Sequence, residues 1–141
     1  MLQLKVSSAS HIQCKVLPFT PSLQTDITTS NPADMPIGGA FYIRDATSIS
    51  DISTLTLENC YSGDTGGAYT LINTSLKDRN SLYKHNGAYQ GGAVYCSDCL
   101  LDLDTITFDH HEAFDGGTFY LKDLRTGAVM AHLTVISSIA Y

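Results

Sequence analysis

Several residues in this 141-residue chain are of types and spacings that can do chemistry. Cys96 and Cys99 stand three apart, with His110 and His111 downstream, a spacing that resembles part of a Cys2His2 zinc site. Asp102, Asp104, Asp109 and Asp115 crowd one stretch, with Lys122 beyond them. Two carboxylates held at a defined separation in a cleft could hydrolyse a polysaccharide. Cys60, His85 and His110 each fall six residues before a Gly-Gly pair. Histidines stacked in one column would form a pH-sensitive strip. Tyr42, Tyr95 and Tyr120 recur at one offset and could present aromatic faces to a sugar or a protein. Asn73-Thr74-Ser75 is an acceptor sequence for N-glycosylation.

What positions these residues is a repeat. Gly-Gly pairs occur at Gly38-Gly39, Gly66-Gly67, Gly91-Gly92 and Gly116-Gly117, and the residues after them agree: GGAFYIRD, GGAYTLIN, GGAVYCSD, GGTFYLKD. Phe41, Tyr69, Val94 and Phe119 share one position; Ile43, Leu71, Cys96 and Leu121 share another two residues on. Apolar residues at a period of two mark a strand with one buried face. Asp45, Asn73, Asp98 and Asp123 follow, and as turn formers they are expected to stop that strand. A second short strand precedes each pair, around Leu55 and Leu57, Leu82, and Ile106 and Phe108. No window carries apolar residues at helical spacing over three turns.

Short strands at a constant period in the twenties wind into a solenoid. The expected fold is all-β: a right-handed parallel β-helix of about five coils, each strand pairing with its equivalent about 4.8 Å along the axis. The chain reads as a single domain over 1–141. Residues 1–37 would form an irregular first coil or a cap, and 38–65, 66–90, 91–115 and 116–141 the successive coils.

Within that frame the bland readings gain ground. Cys96 occupies an apolar strand position, so it reads as a core thiol, with a Cys96–Cys99 disulfide as a further alternative to metal. Adjacent histidines on a strand point to opposite faces, so only one of His110 and His111 could join both cysteines. The carboxylates occupy different positions of one coil and have no counterparts in neighbouring coils. The histidine column fits a corner that tolerates polar side chains. The tyrosines fit a self-stacked ladder. The sequence therefore points to no catalytic residue, no metal and no cofactor.

A net charge of −6 leaves no basic stripe for phosphates, which argues against nucleic acid. No apolar run approaches the roughly 18 residues of a spanning helix. The opening MLQLKVSSASHIQ alternates and carries an early lysine, unlike the apolar core of a signal peptide. For a surface protein this implies another export route or a partial chain. The stretch from Val129 to Ile139 is apolar and β-prone, with no charged or proline-rich cap. An open β-helix end exposes unpaired edges, so Leu133, Val135, Ile136 and Ile139 are expected to be covered by further chain, another subunit or a second copy.

These repeats resemble the GGAI and FxxN repeats of chlamydial polymorphic outer-membrane proteins and the GGAIY repeats of protist cell-surface proteins. GGAFY, GGAVY and GGTFY carry the likeness over about residues 30–125. The FxxN half is degraded: Tyr83 precedes Asn86 at the right spacing, Phe108 is followed by Asp109-His110-His111, and Leu57-Glu58-Asn59 is shifted. The resemblance implies a fold similar to that of pectate lyases, an extracellular or cell-surface location, and a non-enzymatic structural or adhesive role. Protein partners or self would bind at the β-helix ends, with a filament as one assembly. The alternative is a carbohydrate-binding or carbohydrate-active β-helix with glycan partners.

Overall fold

The computed structural model describes residues 39–45 and 49–141, side chains of 49–52 excepted, and the backbone of three short N-terminal strands. Those strands are β1 (Gln3–Lys5), β2 (Lys15–Leu17) and β3 (Ile27–Thr28). The first turn carries β4 (Phe41–Arg44), β5 (Ile49–Ser53) and β6 (Thr56–Glu58). The second carries β7 (Tyr69–Arg79), β8 (Leu82–Lys84) and β9 (Gly87–Gln90). The third carries β10 (Val94–Asp104), β11 (Thr107–Asp109) and β12 (Glu112–Asp115). The fourth carries β13 (Phe119–Lys122), β14 (Val129–Ala131), β15 (Thr134–Ile136) and β16 (Ile139–Ala140).

Equivalent strands of successive turns pair in parallel, giving three sheets of eight, five and three strands. The molecule is an all-β parallel solenoid of about four turns. That is one turn fewer than the five expected: among the described residues no further parallel turn precedes β4 and β6. Instead β1 pairs antiparallel with β4, and β2 antiparallel with β6. Two of the first turn's edges are thereby covered.

The glycine pair has a divided role. Gly91 takes φ +68, a left-handed conformation that costs any other residue strain. Gly92 permits close approach: a Cβ there would lie 2.2 Å from the Gly117 carbonyl oxygen. The alanine that follows is buried for the same reason. The Ala93 carbonyl accepts from the backbone N–H groups of both Ala68 and Tyr69, at 2.8 and 2.9 Å. Gly38 lies outside the described residues, while Gly39, Gly66, Gly67, Gly116 and Gly117 occupy the same two columns.

The polar residues after each inward pair do not stop the strand in the middle turns. Asn73 and Asp98 adopt φ of 48° and 52°, and β7 and β10 bend there and run on. Short amide and carboxylate side chains tolerate that conformation, so they make a corner. Turn length varies at the corners. The first turn pairs Ile43 with Leu71, Ile49 with Leu76, Ile52 with Asp78 and Thr65 with Gln90, a separation that shrinks from 28 to 25 in single steps. The last turn gains two residues between Lys122 and Val129, so Glu112 pairs with Ile139, 27 residues on.

Inside, columns of apolar side chains stack from turn to turn. Phe41 stacks on Tyr69, and Tyr83 on Phe108, each at 5.0 Å between ring centres. Burying a large apolar side chain fully contributes about 1.5–3 kcal/mol. Leu82 lies on the expected strand and is only partly buried, while its neighbour Tyr83 fills the core. The strand's period of two allows only one of them inside, and the ring continues the Leu57–Tyr83–Phe108 column.

Candidate functional site

The fourth turn is the most exposed apolar part of the molecule. Val135 continues the inward Leu57–Tyr83–Phe108 column, yet 51% of it is exposed. Ile136 and Ile139 are exposed to similar degrees, as are Leu121, Val129 and Met130. Leu133 is half-buried against the core. The strands β13, β14, β15 and β16 each have a partner on one side only. Leu121, Met130 and Val135 continue inward columns, whereas Val129, Ile136 and Ile139 continue the outward columns of Asp102, Asp109 and Glu112, and all lie along four free strand edges.

The tyrosines form a ladder. Tyr95 and Tyr120 stack at 5.4 Å with planes 5° apart, while Tyr42 is separated from them by Thr70. All three tyrosines are half-buried. Tyr89 and Phe114 stack likewise on the third sheet, at 5.0 Å. Rings stacked in this way give their faces to each other and turn their edges to solvent. Beside them lies a shallow groove of about 330 Å3 bounded by Tyr61, Glu112, Phe114 and Tyr141. Gly87 makes room for it, and the Tyr61 ring lies across that glycine.

The acidic residues are distributed rather than gathered. Asp102 pairs with Arg79 at 2.6 Å, and Asp104 with His132 at 2.7 Å. Asp109 pairs with His110 on the second sheet, and Asp115 lies on the third. Hydrogen bonds from His132 and His110 hold the Asp104 and Asp109 carboxyls below the ordinary range. Lys122 is exposed on β13. Asn73 is exposed at its corner, but its amide is engaged. Nδ2 donates to Asp45 at 2.7 Å and Oδ1 accepts from Arg125. Arg125 comes from the longer last corner and also binds Asp98, lowering that carboxyl.

Cys96 and Cys99 form a disulfide across the Ser97–Asp98 corner, with Cα atoms 5.8 Å apart and both residues buried. His110 lies outside, stacked on His85 at 5.3 Å, whereas His111 lies inside. Among the described residues no three His, Cys, Asp or Glu side chains are grouped to share a metal ion. Cys60 is not in the histidine column. Asn59 is, because the first turn carries one more residue between Tyr61 and Thr65 than the second does between Gly87 and Gln90. Cys60 instead heads the buried column that continues in Asn86 and His111.

Two buried polar groups escaped the sequence reading. Asp78 sits where its strand neighbours Ile52 and Leu103 are apolar, and its carboxylate accepts from Ser81 at 2.5 Å and from the Tyr83 hydroxyl. Burial raises the Asp78 carboxyl above the usual range despite these donors. The second group is the Asn86–His111 column. Asn86 accepts from the Cys60 backbone N–H at 2.9 Å and donates to the Leu57 carbonyl at 3.1 Å, fastening its turn to the one before. The FxxN spacing was the available signal: the aromatic fills the core column and the amide, three residues on, ties the corner.

No family model matches this chain, nor does any curated protein or solved structure. Among the described residues no helix is long and apolar enough to cross a membrane.

Proposed function

We propose that the protein is a non-enzymatic structural or adhesive element of a cell surface or extracellular assembly, joined to another β-solenoid turn through its fourth turn. The observation that carries this reading is the fourth turn itself, where inward-column residues such as Val135 lie exposed beside four one-sided strands. Another turn laid on this face would bury those side chains and complete the ladders. In solution the partner available is a second copy. The antiparallel cap at the other end weighs against indefinite head-to-tail stacking and favours a closed pair, which a two-fold axis provides.

Catalysis has less support, since Asp102, Asp104 and Asp109 each engage a different basic side chain and the four carboxylates sit on three sheets. Glycan binding would need open aromatic faces, and in each two-ring ladder one face of each ring is taken by ring-on-ring contact.

The test is the mass of the chain by light scattering, with negative-stain electron microscopy, for the natural sequence and Val135→Lys. A defined oligomer that Val135→Lys reduces to a folded monomer is the expected result. A natural-sequence monomer, or an oligomer indifferent to the lysine, refutes the junction.

A further inference from the structure

We infer that His111 is an acid-sensitive clasp: neutral, it fastens the third turn to the second, and protonated, it lets go. The inference rests on the column in which His111 sits. One turn earlier, Asn86 uses its side-chain oxygen to accept the backbone N–H of Cys60. His111 does the same one turn on, its Nδ1 facing the backbone N–H of Asn86 at 3.2 Å. A backbone N–H can only donate, so this Nδ1 must carry a lone pair rather than a proton. The imidazole reproduces the acceptor half of the asparagine it replaces in the FxxN spacing. It differs in one respect, because asparagine does not titrate and histidine does.

The site is unfavourable to a cation. His111 is 1% exposed, the Phe108 ring packs edge-on at 5.9 Å, and Nε2 has no hydrogen-bond partner. A proton added at Nδ1 would set two donors against each other, orphan the Asn86 N–H, and leave a buried charge. The charged and titratable neighbours do not cancel this. On its own segment are Asp109, His110 and Glu112, and Asp109 is already paired with His110. The preceding turn contributes Lys84 and His85, both basic, and the buried Tyr83. The following turn contributes Ile136, Ser137, Ser138 and Ile139, none of which titrates. Burial, only partly opposed by hydrogen bonds with the Asn86 and Tyr83 backbone and by Asp109, and reinforced by His85, lowers the His111 pKa to about 4.

The unfolded imidazole, near 6.5, therefore takes up its proton first as the pH falls. Stability from this group is complete above about 6.5 and is lost down to about 4. His85, His110 and His132 lie outside the core, beside carboxylate or imidazole neighbours.

The test is urea unfolding of the natural protein and of His111→Asn across this range, with His85→Asn as control. His111→Asn restores the non-titrating amide of the motif. Between pH 7.5 and 4.5 the unfolding constant of the natural protein should rise roughly 50- to 100-fold more than that of His111→Asn. His85→Asn should follow the natural protein. In parallel, the imidazole C–H resonances should include one that titrates near 4 or not at all before unfolding. Parallel pH profiles for the natural protein and His111→Asn overturn the inference. So does a His111 resonance titrating near 6.5, a measurement that needs no variant to fold.

Discussion

Replacing Gly92 by alanine tests whether turn spacing depends on the second glycine of each pair. Gly92 does not need a left-handed backbone, so alanine would be favoured there on chain entropy alone, by about 0.4–1 kcal/mol. The objection is steric. Its Cβ would fall 2.2 Å from the Gly117 oxygen and 2.6 Å from the Glu112 oxygen. Ordinary C···O contacts begin near 3.3 Å, so the third and fourth turns must separate locally by about 1 Å. That separation stretches the bonds from Ala93 and Val94 to the Thr118 carbonyl, both 3.0 Å. Two hydrogen bonds at about 1 kcal/mol each, with about 1–3 kcal/mol of overpacking, give a loss of about 2–4.5 kcal/mol after the entropy gain. For a chain of this size that lowers Tm by about 10 °C in thermal unfolding followed by circular dichroism. Gly127→Ala is the control: φ is +96 but the nearest atom is Leu100 Cδ1 at 3.8 Å, so only backbone strain of about 1–2 kcal/mol applies. A Gly92→Ala protein that loses less than Gly127→Ala would refute the close-approach argument.

Phe108→Ala removes a ring that stacks on Tyr83 at 5.0 Å and meets Phe119 at 4.7 Å, and should cost about 3–5 kcal/mol in urea unfolding. Tyr120→Ala breaks only the outer ladder and should cost about 1 kcal/mol; equal losses would contradict the inward and outward assignment. Asp78→Asn probes the buried carboxyl. Because burial raises its pKa in the fold, the unfolded chain ionises first as pH climbs past 3.8, and the fold loses stability upward from there. The asparagine cannot ionise, so relative to the natural protein it should gain stability as pH rises from 3.5 toward 7, levelling off once the folded carboxyl ionises as well. A constant difference across that range would show that Asp78 does not titrate differently in the two states.

Much of the architecture was legible because a solenoid writes each position several times. Four glycine pairs in register define both the period and the inward positions, and Phe41, Tyr69 and Val94 are buried as their alternation requires. Legibility failed where turns differ in length. Counting six back from a glycine pair put Cys60 beside His85, yet one additional residue at the first corner makes Asn59 the true neighbour. Asp78 was illegible for another reason. A carboxylate in an inward column violates the pattern, and its Ser81 and Tyr83 donors are specified by three-dimensional proximity rather than by repeat position. His110 and His111 were read as neighbours on a strand, but they form the corner between β11 and β12, where the left-handed backbone of His110 leaves its ring outside and that of His111 inside.

The unequal ends have a mechanical consequence. Tension applied at Tyr141 would act on a turn held from one side only, while the outer edges of β4 and β6 are held by antiparallel strands. The molecule should therefore come apart from one end, like a coil of rope unwound from its loose loop. The last turn matches its neighbour at a spacing of 27 residues, so its detachment frees roughly 90 Å of extended chain. The turn before it, at a spacing of 25, would resist next, giving a force trace with one step per turn.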